Sequence, residues 1–125
     1  MIRSILFVAL GGAIGSVCRF LISKAIQGSL FTAFPWGTMV VNLLGCFLIG
    51  AIYGLFDRGA LLDPHLKLFL TVGFCGGFTT FSTFMNEDLH LFREDNILYG
   101  ALYAGGSVTL GLLAVWIGIQ IVRQP

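Results

Sequence analysis

Four long apolar stretches, almost free of charge, decide what this chain can become. The first runs from Ile5 to Ile22, with Arg19 near its end. The second, "WGTMVVNLLGCFLIGAIYGLF", covers Trp36 to Phe56 and holds one strongly polar residue, Asn42. The third runs from Leu68 to about Asn86, and the fourth from Ile97 to Val122 without a charge. Each spans about 18–26 residues, the length at which a helix crosses about 30 Å of hydrocarbon. Backbone groups in lipid must be paired within the protein, and alternating strands of barrel length are absent, so helices are the solution. The reading is an all-α integral membrane protein: one four-helix transmembrane domain over residues 1–125, with the lipid bilayer as its solvent.

Composition closes the soluble alternative. The 125 residues are 57% hydrophobic and 10% charged, and a soluble domain of this size cannot hide so much apolar surface. A net charge of +1 provides no basic field, so nucleic acid is excluded as a partner. Cys18, Cys46 and Cys75 fall in three different stretches without CxxC spacing, and read as small hydrophobes rather than as a disulfide framework or a zinc site.

The connections are short: Gln27 to Pro35, Asp57 to Leu66, and Glu87 to Asn96. Pro35 before Trp36, and "DPH" at Asp63–His65, are helix-start punctuation. The opening "MIRSILFVALGGAIGSVC" has the look of a signal peptide, but the apolar run resumes after Arg19 and a retained first helix is expected. Glycine pairs at small-xxx-small spacing, Gly11/Gly15, Gly50/Gly54 and Gly73/Gly77, lie inside spans and predict close backbone packing, within or between subunits.

With four spans, Arg3, Arg58, Lys67 and Arg123 share one side, and Arg19, Lys24 and Arg93 the other. The positive-inside rule works through Lys/Arg imbalance, and here it is nearly nil. Such a tie fits two readings: a weakly biased protein that inserts one way, or insertion in both orientations and an antiparallel pair.

Polar side chains at membrane depth are functional candidates by default. Asn42 reads either as glue between helices or as a donor facing a pathway. In "GGFTTFSTF", Gly76 and Gly77 weaken the helix while four hydroxyls compete for its backbone bonds, predicting a break. Phe78, Phe81 and Phe84 recur every three residues, roughly along one face. Such a stripe is core, or lines a conduit whose positive ring edges attract an anion weakly. Tyr103 and Ser107 share a face of the fourth helix. Glu87 and Asp88 sit close to the membrane surface. Glu87-x-x-His90 has the spacing of di-iron bundles but lacks the second pair they need, so no metal is expected on side chains. His65 and His90 read as loop or interface residues. No carboxylate is embedded before Glu87, so a proton-coupled exchanger lacks its relay.

The segments "GGAIGSVCRF", "GTMVVNLLGCFLIG" and "GFCGGFTTFSTFMNE" closely resemble the Fluc (CrcB) family of bacterial fluoride channels, over essentially the whole chain. The resemblance implies a non-enzymatic, passive, fluoride-selective channel of the bacterial inner membrane that confers fluoride resistance. It implies a dual-topology homodimer with two pores and a third helix broken at the midplane. By motif match, Phe81 and Phe84 correspond to rings whose edges face fluoride, and Asn42 to the pore asparagine. Ser82, Thr83, Tyr103 and Ser107 fall along the polar track. Arg19 and Glu87 lie toward a vestibule or pore mouth. A structural sodium ion, the one cofactor implied, would rest on the backbone carbonyls of Gly76 and Thr79. Gly111 departs from the pattern where a further hydroxyl sometimes extends the track, and Phe78 reads as packing. Two rivals are weaker. A small multidrug transporter needs a glutamate that Ile5–Ile22 lacks, and a mere assembly subunit leaves the Phe/hydroxyl motif without a purpose.

Overall fold

The computed structural model describes residues 1–30, 34–59 and 63–123. Parts of two expected connections, residues 31–33 and 60–62, lie outside the described residues, as do residues 124 and 125. Described residues form helices and turns, with no strand among them. The order is α1 (Ile2–Ser29), α2 (Trp36–Asp57), α3 (Pro64–Leu68), a π-helical segment (Phe69–Cys75), α4 (Gly76–Phe78), α5 (Phe81–Arg93) and α6 (Ile97–Arg123). Four stretches, Ile2–Ser29, Trp36–Asp57, Pro64–Arg93 and Ile97–Arg123, are long and apolar enough to cross a membrane.

Local chemistry sets the helix starts. Pro35 precedes α2, and its carbonyl accepts from the Met39 amide at 3.2 Å. At α3, Asp63 Oδ1 accepts from the His65 amide at 3.0 Å while Pro64 takes the first helical position, where its missing N–H costs nothing. Both follow the sequence punctuation. The span ends differ from it. Helix α1 reaches Ser29 rather than Ile22; its 28 residues make about 42 Å, so it exceeds the hydrocarbon thickness and carries Lys24 past it. The third span continues to Arg93, which shortens the expected Glu87–Asn96 connection to Glu94–Asn96. That turn closes with Asp95 at φ 61° and the Asn96 amide donating to the Leu91 carbonyl at 2.9 Å.

Packing is carried by glycine. The buried residues of α1 are Gly11 and Gly15 alone; Ile5, Leu6, Leu10, Val17 and Leu21 are exposed. Main chain therefore lies directly on main chain: a Cβ on Gly11 would sit 2.9 Å from the Phe74 nitrogen and 3.0 Å from the Gly73 Cα. Helices α2 and α6 cross the same way, with Gly50 against Val115 and Gly118 against Phe47 and Ala51. All three predicted glycine pairs thus make close contacts within the chain.

The third span holds the irregular backbone. The π-helical segment, for which the sequence carries no signal that we recognise, follows α3 directly; Thr71 Oγ1 bonds back to the Lys67 carbonyl at 2.7 Å. The predicted weak points, Gly76 and Gly77, are helical instead: Gly76 has φ −62° and ψ −38°. Extended conformation falls on Thr79 (φ −96°, ψ 161°) and Thr80 (φ −151°, ψ 119°). Gly77 is explained by proximity, since a Cβ there would run into the Gly12 carbonyl of α1 at 2.6 Å. The threonines leave the helix because their hydroxyls offer other bonds: Thr79 Oγ1 donates to the Cys75 carbonyl at 3.0 Å, and Thr80 Oγ1 accepts from the Thr83 amide at 3.2 Å.

Candidate functional site

The second of the extended residues, Thr80, is held from across the bundle. Asn42 Nδ2 donates to the Thr80 carbonyl at 3.1 Å, and the Thr80 amide donates to Asn42 Oδ1 at 2.8 Å. One carboxamide thus pairs both polar groups of a residue that would otherwise be orphaned in an apolar layer. The glue reading of Asn42 accounts for these two bonds. Its amide nitrogen has a second N–H beyond them.

Six residues singled out from the sequence line one cavity of about 420 Å³: Asn42, Gly76, Thr79, Phe81, Phe84 and Ser107. Residues of α2, α6 and the third span, including both extended residues, contribute to its lining. Phe81 is 73% exposed, whereas Phe84 is 6% exposed and meets it edge-on, with centroids 6.2 Å apart at 64°. The Ser107 hydroxyl is buried without a hydrogen-bond partner among the described residues, an arrangement that costs free energy unless something completes it.

Behind Phe84 lies a second layer. The Tyr103 ring, fully buried, packs edge-on against Phe84 at 4.8 Å and 79°, and its hydroxyl donates to Glu87 Oε1 at 3.0 Å. Glu87 also lines a smaller cavity with Gln27, His90 and Glu94. Asp88, read from the sequence as close to the membrane surface beside Glu87, has a side chain only 8% exposed, and its Oδ1 has no hydrogen-bond partner among the described residues. His65, in α3, stacks on Phe7 at 5.0 Å.

Other candidates fall outside the large cavity. Ser82 is exposed, and Thr83 is engaged through its amide by Thr80. Phe78 does not continue a face with Phe81 and Phe84, because the extended residues intervene; it is buried and stacks on Phe74 at 5.5 Å and 13°. Arg19 reaches from α1 to donate through Nε to the Gly77 carbonyl at 3.0 Å. The sequence reading passed over Thr80, the pivot of the site, and it took Cys46 and Cys75 for filler although both line the cavity. Thr80 had a local signal, a hydroxyl residue three before Thr83 at a helix start.

The Gly76 and Thr79 carbonyls have the character a hard cation needs. In a continuous helix they would accept from the Thr80 and Thr83 amides, but those amides donate to Asn42 Oδ1 and Thr80 Oγ1. Both residues line the large cavity.

Known proteins resemble this chain along nearly its whole length. Residues 6–119 match the family described as CrcB-like protein, Camphor Resistance (CrcB). The chain is 43% identical over 122 residues to the fluoride-specific ion channel FluC of Flavobacterium psychrophilum, covering 98% of each chain. It is 48% identical over 117 residues to the protein of that name from Phocaeicola vulgatus, covering 94% of this chain and 96% of the relative. For that of Chlorobaculum tepidum the figures are 46% over 123 residues, 98% and 97%. With four spans, a cavity walled by phenylalanine, asparagine and serine, and relatives matched end to end, this multi-pass membrane protein belongs to the CrcB-like family.

Proposed function

We propose that the protein is a passive, fluoride-selective channel of the bacterial inner membrane. The observation that carries this reading is the cavity itself. A buried hydroxyl without a partner among the described residues, a carboxamide with a further N–H and two phenylalanine rings line one cavity where a membrane-spanning chain would otherwise place aliphatic side chains. A small, strongly hydrated anion must exchange water for donors, each weak enough to release it. Hydroxyl, amide and ring edge are donors of that kind. The names of the relatives point to fluoride. An inside-negative potential would drive the anion outward, contributing about 2.3 kcal/mol per 100 mV for a full crossing.

The active unit in this proposal is an antiparallel homodimer with two pores. Phe81 lies largely uncovered at the cavity, which suits a wall completed by a second copy, and the charge tie permits both orientations. The two-fold axis would turn the Gly76 and Thr79 carbonyls into four oxygens, a set suited to sodium as a structural ion.

The test is reconstitution of the purified protein in liposomes. Rapid fluoride efflux with little chloride efflux is expected; fluoride release no faster than from protein-free liposomes would end the proposal.

A further inference from the structure

Phe34 stands in the connection between α1 and α2, outside any helix, yet it is only 8% exposed. Its main chain is pinned. Gln27 Nε2, from the last turn of α1, and the Trp36 amide both donate to its carbonyl, at 3.2 and 2.9 Å. The same Gln27 carboxamide accepts from the Gly37 amide through Oε1 at 3.0 Å. Pro35 follows, and proline disfavours helical conformation in the residue before it. On so constrained a main chain the side chain has few directions to take. The Phe34 ring enters a buried cluster with Met39, Phe84, Leu91 and Tyr103.

From there the rings follow one another edge-on. Phe34 meets Tyr103 at 5.5 Å and 73°, and Tyr103 meets Phe84 at 4.8 Å and 79°. Phe84 in turn meets Phe81 at 6.2 Å and 64°. Each pair has the separation and tilt that ring quadrupoles favour, a positive edge against a negative face. Phe34 also packs on Trp36 at 4.5 Å and on Tyr99 at 5.8 Å. Phe81 and Phe84 line the large cavity, whereas Phe34 and Tyr103 do not. The Tyr103 hydroxyl is bonded to Glu87, but in a tyrosine the hydroxyl and the Cβ lie on one axis. That bond therefore sets where the ring is and leaves its rotation about the axis open. Packing against the ring sets the rotation, and with it the surface that Phe84 meets.

We propose that Phe34 is a positioning residue for permeation: by fixing the rotation of the Tyr103 ring, it holds the edge of Phe84 at the cavity. The proposal rests on the channel reading above. Phe34 touches no permeating ion, and its effect passes through one ring to the next. Leucine at position 34 would keep apolar bulk but offer neither a flat face nor a ring edge. Tyr103 would then turn about its axis, and Phe84 would lose its seat.

The experiment reads the Phe84 ring and the flux separately. A fluorine-labelled phenylalanine is placed at position 84 of the full-length protein and its fluorine resonance recorded in detergent, while efflux is measured on unlabelled protein in liposomes. Phe34→Leu, with Phe34→Met where leucine gives no folded protein, should shift or broaden the resonance. It should also cut fluoride efflux by about two- to tenfold, the factor to which the loss of one edge-on pair amounts. Phe34→Tyr keeps the ring and should restore both readouts. Size exclusion and thermal unfolding identify folded protein. An unmoved resonance in a folded leucine or methionine variant would overturn the proposal, and so would efflux equal to the wild type. Equal losses in the tyrosine and leucine variants would overturn it as well, because the ring would then not be what matters. Absence of efflux from the wild type would instead count against the channel reading and leave the resonance to decide whether Phe34 positions Phe84.

Discussion

Asn42 carries more of this structure than its length suggests. Its carboxamide pairs the amide and carbonyl of Thr80. Asn42→Ala is expected to leave both groups unpaired, at a cost of about 1–3 kcal/mol each. Thermal unfolding in detergent should show a clear loss of stability and liposome assays a loss of flux; an unchanged melting curve would remove the staple from the argument. The phenylalanines behave differently. Phe81→Ile and Phe84→Ile keep apolar bulk but remove the ring edges, so flux should fall sharply while subunits remain associated on size exclusion. Unchanged flux in both variants would take the rings out of the mechanism. These residues were legible because asparagine and clustered hydroxyls are anomalous in a membrane span. What Asn42 bonds to was not legible, since its partner lies 38 residues away.

At the scale of elements, the spans and their starts could be read from apolar length and from Pro35 and Asp63–Pro64, which act locally. The break could be anticipated only to within a few residues. Glycine lowers helix propensity, yet Gly77 stays helical with α1 close against it, whereas Thr80 is extended with its amide and carbonyl received by Asn42. Thr80→Val keeps the shape of that side chain but removes the acceptor for the Thr83 amide. A loss of about 1 kcal/mol is expected, as for other N-caps, with α5 fraying at its start. Hydrogen exchange at Thr83 and its neighbours should accelerate; protection equal to the wild type would show that the hydroxyl does not anchor α5.

For the whole molecule, the charge balance is the most testable feature. Two Lys residues added at the N-terminal tail should bias insertion one way, and two added between α1 and α2 the other. An antiparallel dimer predicts that each biased protein alone loses flux and that their co-expression restores it. Full flux from one biased protein alone would show that both orientations are not needed. Exchange of sodium for a bulky organic cation during purification should loosen subunit association, read as a shift toward monomer on size exclusion. A dimer indifferent to the exchange would remove the ion from the assembly.

Because α1 touches the rest of the bundle through Gly11 and Gly15, its bulky side chains face outward. The lipid coat and the interior therefore answer to separate demands. Leu6, Leu10 or Val17 could be traded for other aliphatics, to suit a thicker or more fluid bilayer, without the permeation machinery registering the change. A single methyl group at Gly15 would push against the Phe74 main chain, and through it disturb the span that carries the site.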